Sequence, residues 1–479
     1  MPINGGNDSL IAWLPDLIFT GGRFQSGLAL VSDSSGLIVK LARVEDLKDE
    51  KRISLTNRAM LPGMVNAHSH AFQRVLRGRT EHRTRNQQDS FWTWRELMYS
   101  AATRLTPEDI YDASRMAFLE MAVSGITSVG EFHYLHHAPD GIAYDDPNLL
   151  AKEVVRAASD VGLRIALLRV AYARSGFQVE QNPKQARFIE SDPAAYLKNL
   201  ENLRGDLRDT ATAWVGVAPH SVRAVPLAYL RTVVAFANES GLKIHMHVAE
   251  QPAEISACVE EYGRTPVALL ATEDLLSERF TAVHAIHVTP KATPSFAKTG
   301  AMACACPTTE RNLGDGVFPA DEYFKHNVPI CLGTDSHAQI DLLEDARELE
   351  YHLRLQKLER AVLDNQFQVS SSESQVEDRG WLAARLFECA TINGALSLGS
   401  PGGTLEPGKA ADFFTVALSD PSIAGASTGD LLSSIVFSLS RAAICEVAVG
   451  GKPIVSEGRH LIQEEVIERF NELQKKLWS

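Results

Sequence analysis

Two histidines one residue apart, His68-Ser69-His70, close an apolar run that begins at Leu61. In an extended strand residues i and i+2 face the same way, so both imidazoles point to one side and can chelate one cation. Alone the pair says little, because histidine has many other uses. Other chemistry-bearing residues end other apolar runs: His247 and Glu250 in HVAE, His284 in FTAVHAIH, and Asp335 in GTDSH. Together they offer imidazole and carboxylate, a set that suits zinc and is also accepted by iron(II). Chance convergence of all of them on one edge of a fold is improbable, which makes a metal site the leading expectation. A divalent ion so held makes water a nucleophile near neutral pH.

The elements that must carry these residues are eight strand-like runs, at 61–70, 126–133, 163–171, 213–220, 242–250, 280–287, 301–307 and 328–335. Helical segments separate most of them. Thr106-Pro107-Glu108-Asp109 supplies an N-cap, a first-turn proline and early acids. Gly125, Gly162, Gly241 and Gly300 each stop a helix just before a strand. Eight successive β-then-α units predict a (β/α)₈ TIM barrel, whose active site lies at the C-terminal ends of the strands. The competing open α/β sheet would carry a glycine-rich phosphate loop after its first strand, and none is visible. The flanks differ: residues around 13–60 and 404–460 read as short β segments between turns. Paired across the chain ends, they predict a small β-sandwich. The expected division is 1–60 for its first part, 61–400 for the catalytic barrel, and 401–479 for its second part plus a terminal helix. The polar stretch 365–380 reads as a surface loop.

Composition narrows the partners. Of 479 residues 45% are hydrophobic, ordinary for a folded soluble chain, and the net charge is −13. No Lys/Arg-rich stretch stands out, which argues against nucleic acid. Acidity does not exclude an anionic substrate, since a local pair of arginines can outweigh distant charge. No run approaches the ~18 apolar residues of a membrane span. The opening residues, MPINGGNDSL, show no secretory pattern. Six scattered cysteines, four of them (Cys304, Cys306, Cys331, Cys445) in strand-like runs, read as buried thiols of a reducing cytoplasm.

Longer motifs carry a resemblance: NAHSHAFQR (66–74), DSFWTWRELMY (89–99), EFHYLHH (131–137), HSVRAV (220–225), HVAEQ (247–251), ERNLGDGVFPA (310–320) and GTDSH (333–337). The chain resembles the amidohydrolase superfamily and, within it, the formiminoglutamate deiminases. The resemblance implies His68, His70, His247 and Asp335 as ligands of one ion, because the fourth strand ends in APHSVR without a bridging lysine or glutamate. It implies Glu250 as proton shuttle, His284 as a catalytic neighbour, and Gln73, Arg95, Tyr134, His220 and Arg223 as substrate contacts. The implied reaction is hydrolytic deimination of N-formimino-L-glutamate, a small dicarboxylate, in histidine degradation, by a homodimer. Arg311, before Asn312, departs from the smaller residue expected there.

The plainer readings differ in weight. His245 reads as a core histidine, and His133, His136 and His137 as hydrogen-bond partners. Glu131 pairs with a neighbour, and His337 supports the ligands. Trp92 and Trp94 are packing or pocket wall equally. Arg223, without the resemblance, reads as half of a structural ion pair. Two other functions compete: deamination of a heterocyclic base such as a purine or pterin at the same metal, and a scaffold that has lost catalysis.

Overall fold

The structure is a computed structural model that describes residues 10–83, 90–364 and 381–479. The expected loop 365–380 lies outside the described residues.

The chain begins with five strands: β1 (Ile11–Thr20), β2 (Arg23–Ser26), β3 (Leu28–Ser32), β4 (Ile38–Arg43) and β5 (Lys51–Pro62). One residue, Gly63, separates β5 from the first barrel strand, β6 (Met64–Ser69). A Cβ on Gly63 would sit 2.3 Å from Thr127 Oγ1, so only glycine permits this approach.

The barrel continues through β7 (Ile126–His133), β8 (Arg164–Ala171), β9 (Ala213–Pro219), β10 (Ile244–Val248), β11 (Phe280–His284), β12 (Met302–Ala305) and β13 (Ile330–Leu332). Neighbours pair in parallel in chain order. All eight fall within the runs read as strands. The reason is burial on both faces, which makes parallel strands near-continuous apolar segments. The seam between β6 and β13 closes at the candidate ligands themselves: Asp335 N–H donates to His68 O, and His70 N–H donates to Asp335 O, each 3.0 Å. Gly162, Gly241 and Gly300 do end helices, each left-handed, as expected. Thr106 and Asp109 form a capping box around Pro107.

The C-terminal strands are β14 (Phe413–Ala417), β15 (Ile444–Val449), β16 (Lys452–Ser456) and β17 (Arg459–His460). β14 pairs antiparallel with β5, so both chain ends share one nine-stranded sheet. The expected small β-domain thus takes the form of a continuous sheet with its own core, where Trp13 meets Phe413 edge-on at 5.1 Å. A buried ion pair, Arg164 Nε to Asp412 Oδ2 at 2.7 Å, fastens it to β8. The terminal helix Gln463–Trp478 buries Phe470, Leu473 and Leu477. Its Arg469 and Lys476 pair with Asp112 and Asp109 of the helix Pro107–Ala122.

Candidate metal centre and active site

Four side chains from three strand ends converge. The ligating atoms of His68, His70, His247 and Asp335 all lie within 4.8 Å of one another, and all four residues are buried. Asp335 Oδ1 stands 3.3 Å from His68 Nε2 and 3.2 Å from His70 Nε2, and His247 Nε2 is 3.1 Å from His68 Nε2. Burial pushes His68 down to about 3 and His247 well below the usual histidine range. Both are therefore neutral, the form that ligates metals. Two neutral imidazole nitrogens turned on each other can satisfy at most one lone pair, whereas a shared cation satisfies both. His70 directs Nδ1 at the Phe132 carbonyl, 2.9 Å away. That fixes its hydrogen on Nδ1 and leaves Nε2 as a donor to metal. Burial would raise the Asp335 carboxyl, but the close approach of the His68 and His70 rings outweighs it and holds the carboxyl well below its ordinary range. The residues fit a single divalent ion.

A polar network braces the seam behind them. Ser69 Oγ donates to Glu131 Oε2 at 2.5 Å and meets His337 Nε2 at 3.1 Å. Ala71 N–H donates to Glu131 Oε1 at 2.7 Å. His337 Nδ1 meets Thr334 Oγ1, which accepts from Asn66 Nδ2 at 2.7 Å. Every one of these residues is buried.

Glu250 follows Ala249, whose φ of 53° is left-handed. His284 and Asp335 share that uncommon conformation, at 65° and 45°. Left-handed non-glycine residues are costly and cluster at working sites. Glu250 Oε1 lies 3.8 Å from His284 Nε2, which is also 3.8 Å from Asp335 Oδ2. Burial raises the Glu250 carboxyl above its ordinary range. For His284 burial acts downward, but Glu250, Glu310 and Asp335 outweigh it and lift the ring to about 10.

Ten of the eleven residues singled out above line one cavity; His68 lies beneath it, fully buried. The rest of the cavity lining is different in kind. Arg95 comes from the helix Phe91–Ala102, its guanidinium 4.6 Å from the Trp92 ring and 5.3 Å from Tyr99. Arg223 follows β9, 6.0 Å from the Trp92 ring. Among the described residues neither arginine has a salt bridge, and Arg95 Nη1, Arg223 Nε and Arg223 Nη1 are buried without hydrogen-bond partners. The structural ion-pair reading of Arg223 is thereby corrected: the acids nearby point elsewhere. Gln73 Nε2 donates to Tyr134 Oη at 2.8 Å, leaving Gln73 Oε1 buried and unpartnered. His220 Nδ1 meets Ser221 Oγ at 3.1 Å, and its ring lies 4.9 Å from that of His247.

The plainer readings also find their places. His245 Nε2 meets the Ser397 carbonyl at 3.1 Å in the core. His136 and His137 meet the Val170 and Ile189 carbonyls. Trp94 lines the cavity, whereas Trp92 stacks on Arg95. Arg311 turns outward to Glu348 at 2.5 Å. All six cysteines are free and buried.

Three buried carboxylates behind the cavity have no role assigned from the sequence. Glu254 accepts the Ala249 and Glu250 N–H groups, 3.2 Å each. Asp315 accepts from Gln251 Nε2. Glu310 contacts His284 and caps Cys306. Glu310 and Asp315 stand inside the ERNLGDGVFPA motif, which was the available signal.

Residues 59–454 match the Amidohydrolase family. The chain belongs to the amidohydrolase family. It is a hydrolase of that family, and its curated relatives are deaminases. The amidohydrolase is 38% identical over 413 residues to the formimidoylglutamate deiminase of Pseudomonas aeruginosa, covering 86% of this chain and 88% of the relative. It is 27% identical over 462 residues to a 5-methylthioadenosine/S-adenosylhomocysteine deaminase of Pyrococcus abyssi, covering 95% and 97%. Among solved structures, an amidohydrolase from Brucella melitensis superposes with a TM-score of 0.87 at 33% identity, over 98% of this chain and all of that one. An adenosine deaminase from Xanthomonas campestris with bound zinc shares the fold at a TM-score of 0.80 and 22% identity, covering 98% of each chain. Among the described residues no helix is long and apolar enough to cross a membrane.

Proposed function

We propose that this amidohydrolase hydrolyses N-formimino-L-glutamate to N-formyl-L-glutamate and ammonia. One observation carries the reading: two guanidiniums with unfilled buried donors face the same cavity as the ligand cluster and Glu250. A substrate with two carboxylates supplies the acceptors they lack, through paired charge-assisted hydrogen bonds. The 38% identity to a formimidoylglutamate deiminase supports the same substrate.

His68, His70, His247 and Asp335 would hold one divalent ion, for which zinc is best suited. Bound there, it would lower the pKa of a water to roughly 7. Glu250 takes the water proton as oxygen bonds to the formimino carbon. Asp335, beside it, accepts a hydrogen bond from the same water. His284 faces the tetrahedral adduct and stabilises it as it forms. Glu250 gives that proton to the formimino nitrogen, then takes the adduct's hydroxyl proton and passes it to the same nitrogen; the C–N bond breaks as C=O forms, and ammonia leaves. A raised carboxyl pKa, caused first by burial, suits a group that must both take and give a proton. Arg95 and Arg223 bind the carboxylates, and Gln73, Tyr134 and His220 complete the wall.

The runner-up is deamination of a heterocyclic base, which the 27% relatives support. A flat base needs stacking and edge contacts, and gives two arginines nothing to neutralise. A scaffold reading is disfavoured because the whole ligand set and Glu250 are retained. Ammonia release from N-formimino-L-glutamate, measured beside 5-methylthioadenosine, S-adenosylhomocysteine, purines and pterins, decides among them. Turnover of the formimino acid alone is expected; turnover of bases alone ends the reading.

A further inference from the structure

His284 has two faces, and the reaction uses one. Its Nε2 looks toward Glu250 and Asp335, 3.8 Å from each. Its Nδ1 looks away from the cavity to Glu310 Oε1, at 3.3 Å. Glu310 does not line the cavity and is 1% exposed. It is the fourth residue of the short helix Pro307–Leu313, and the same Oε1 accepts the Cys306 N–H at 2.9 Å. That bond ties the carboxylate to the end of β12, the strand beside the one that carries His284.

The ring needs such a tie. His284 is the last residue of β11 and has φ of 65°, so its backbone has left the strand before its side chain is placed. Imidazole flips about χ2 are otherwise open to it, since that torsion is broad. A flip would turn a carbon toward Glu250. An acceptor at Nδ1 opposes the flip, because a carboxylate requires hydrogen on the atom it faces and a flip would set a carbon there.

We propose that Glu310 is a positioning residue for His284: anchored on the Cys306 amide, it grips Nδ1 and so aims Nε2 at the reacting centre. The inference rests on the role given to His284 above. The group could instead be read as a second cation site, since His284, Cys306 and Glu310 offer ligand atoms within 4.8 Å. The direct Nδ1 contact already satisfies two of the three, and the Cys306 thiol is held well above its usual range by burial, away from the thiolate a metal needs.

The test is a double-mutant cycle of Glu310→Ala and His284→Ala, assayed on N-formimino-L-glutamate, with Glu310→Gln alongside. Glu310→Ala should lower kcat about 10²-fold with KM little changed, the scale of a small misplacement. It should add nothing in the His284→Ala background. Glu310→Gln, which keeps an acceptor oxygen, should recover most of the loss. Normal kcat in His284→Ala overturns the role of His284; loss there with normal kcat in Glu310→Ala overturns this inference alone. Additive effects, or no recovery with glutamine, overturn it too. A second metal equivalent that disappears in Glu310→Ala would establish the cation site instead. Nitrogen NMR of His284 in the metal-free protein decides the matter even without turnover. The expected result is a hydrogen-bonded Nδ1–H that Glu310→Ala abolishes; a bare Nδ1 in the parent protein contradicts the inference.

Discussion

The two walls of the cavity are built differently. The ligand wall stands on the strands β6, β10, β11 and β13, and its groups face one another or a buried brace such as Ser69–Glu131. The cation wall stands on a helix and a strand-end turn, and Arg95 and Arg223 keep donors that no protein atom fills. Strands of a closed barrel hold positions rigidly, which bond-making requires; unfilled donors hold recognition in reserve for a partner that arrives. One wall gathers imidazoles and a carboxylate on a single point, as a cation requires; the other leaves cationic donors open, as an anion requires.

Substitutions on the two walls should therefore fail in different parameters. On the ligand wall, Glu250→Gln should cost roughly 10²–10⁴-fold in kcat. KM and metal content should stay near those of the parent in steady-state assays and metal analysis. On the cation wall, Arg223→Met removes contacts worth about 1.5–3 kcal/mol, so KM should rise about 10- to 100-fold while metal content is unchanged. Arg95→Met should behave likewise. If both leave the specificity constant unaltered, the dicarboxylate reading fails while the metal reading stands. Behind the ligand wall, Glu131→Ala frees Ser69 and the Ala71 amide. Metal affinity, measured by chelator competition, should fall toward the lower end of the ~10–100-fold range for such braces, with KM unmoved. The smallest effect belongs outside both walls. Arg311→Ser breaks only a pair whose arginine is 44% exposed. Melting should shift by an amount worth under ~1 kcal/mol, and kinetics should not change.

Much of the ligand wall could be read from the chain. Buried parallel strands are apolar along their whole length, and few residue types ligate metals, so His68, His70, His247 and Asp335 stood out at strand ends. The cation wall was less legible, because whether Arg223 meets an acid depends on contacts between distant segments. Glu310 and Glu254 were overlooked because each stands at a helix start, where acids are common for capping alone. Only folding shows that one reaches His284 and the other the Ala249–Glu250 amides. The end strands were likewise visible as β segments. Their pairing across the chain ends was legible too; that β5 and β14 are the strands that join was hidden, since alternation reports a strand and not its neighbour.

Metal analysis of the purified protein, with Asp335→Ala beside it, reaches the central claim most directly. About one divalent ion per chain is predicted for the parent, none for the variant, and ammonia release only from the former. A parent that holds no ion yet turns substrate over, or a variant that retains both ion and activity, would contradict it.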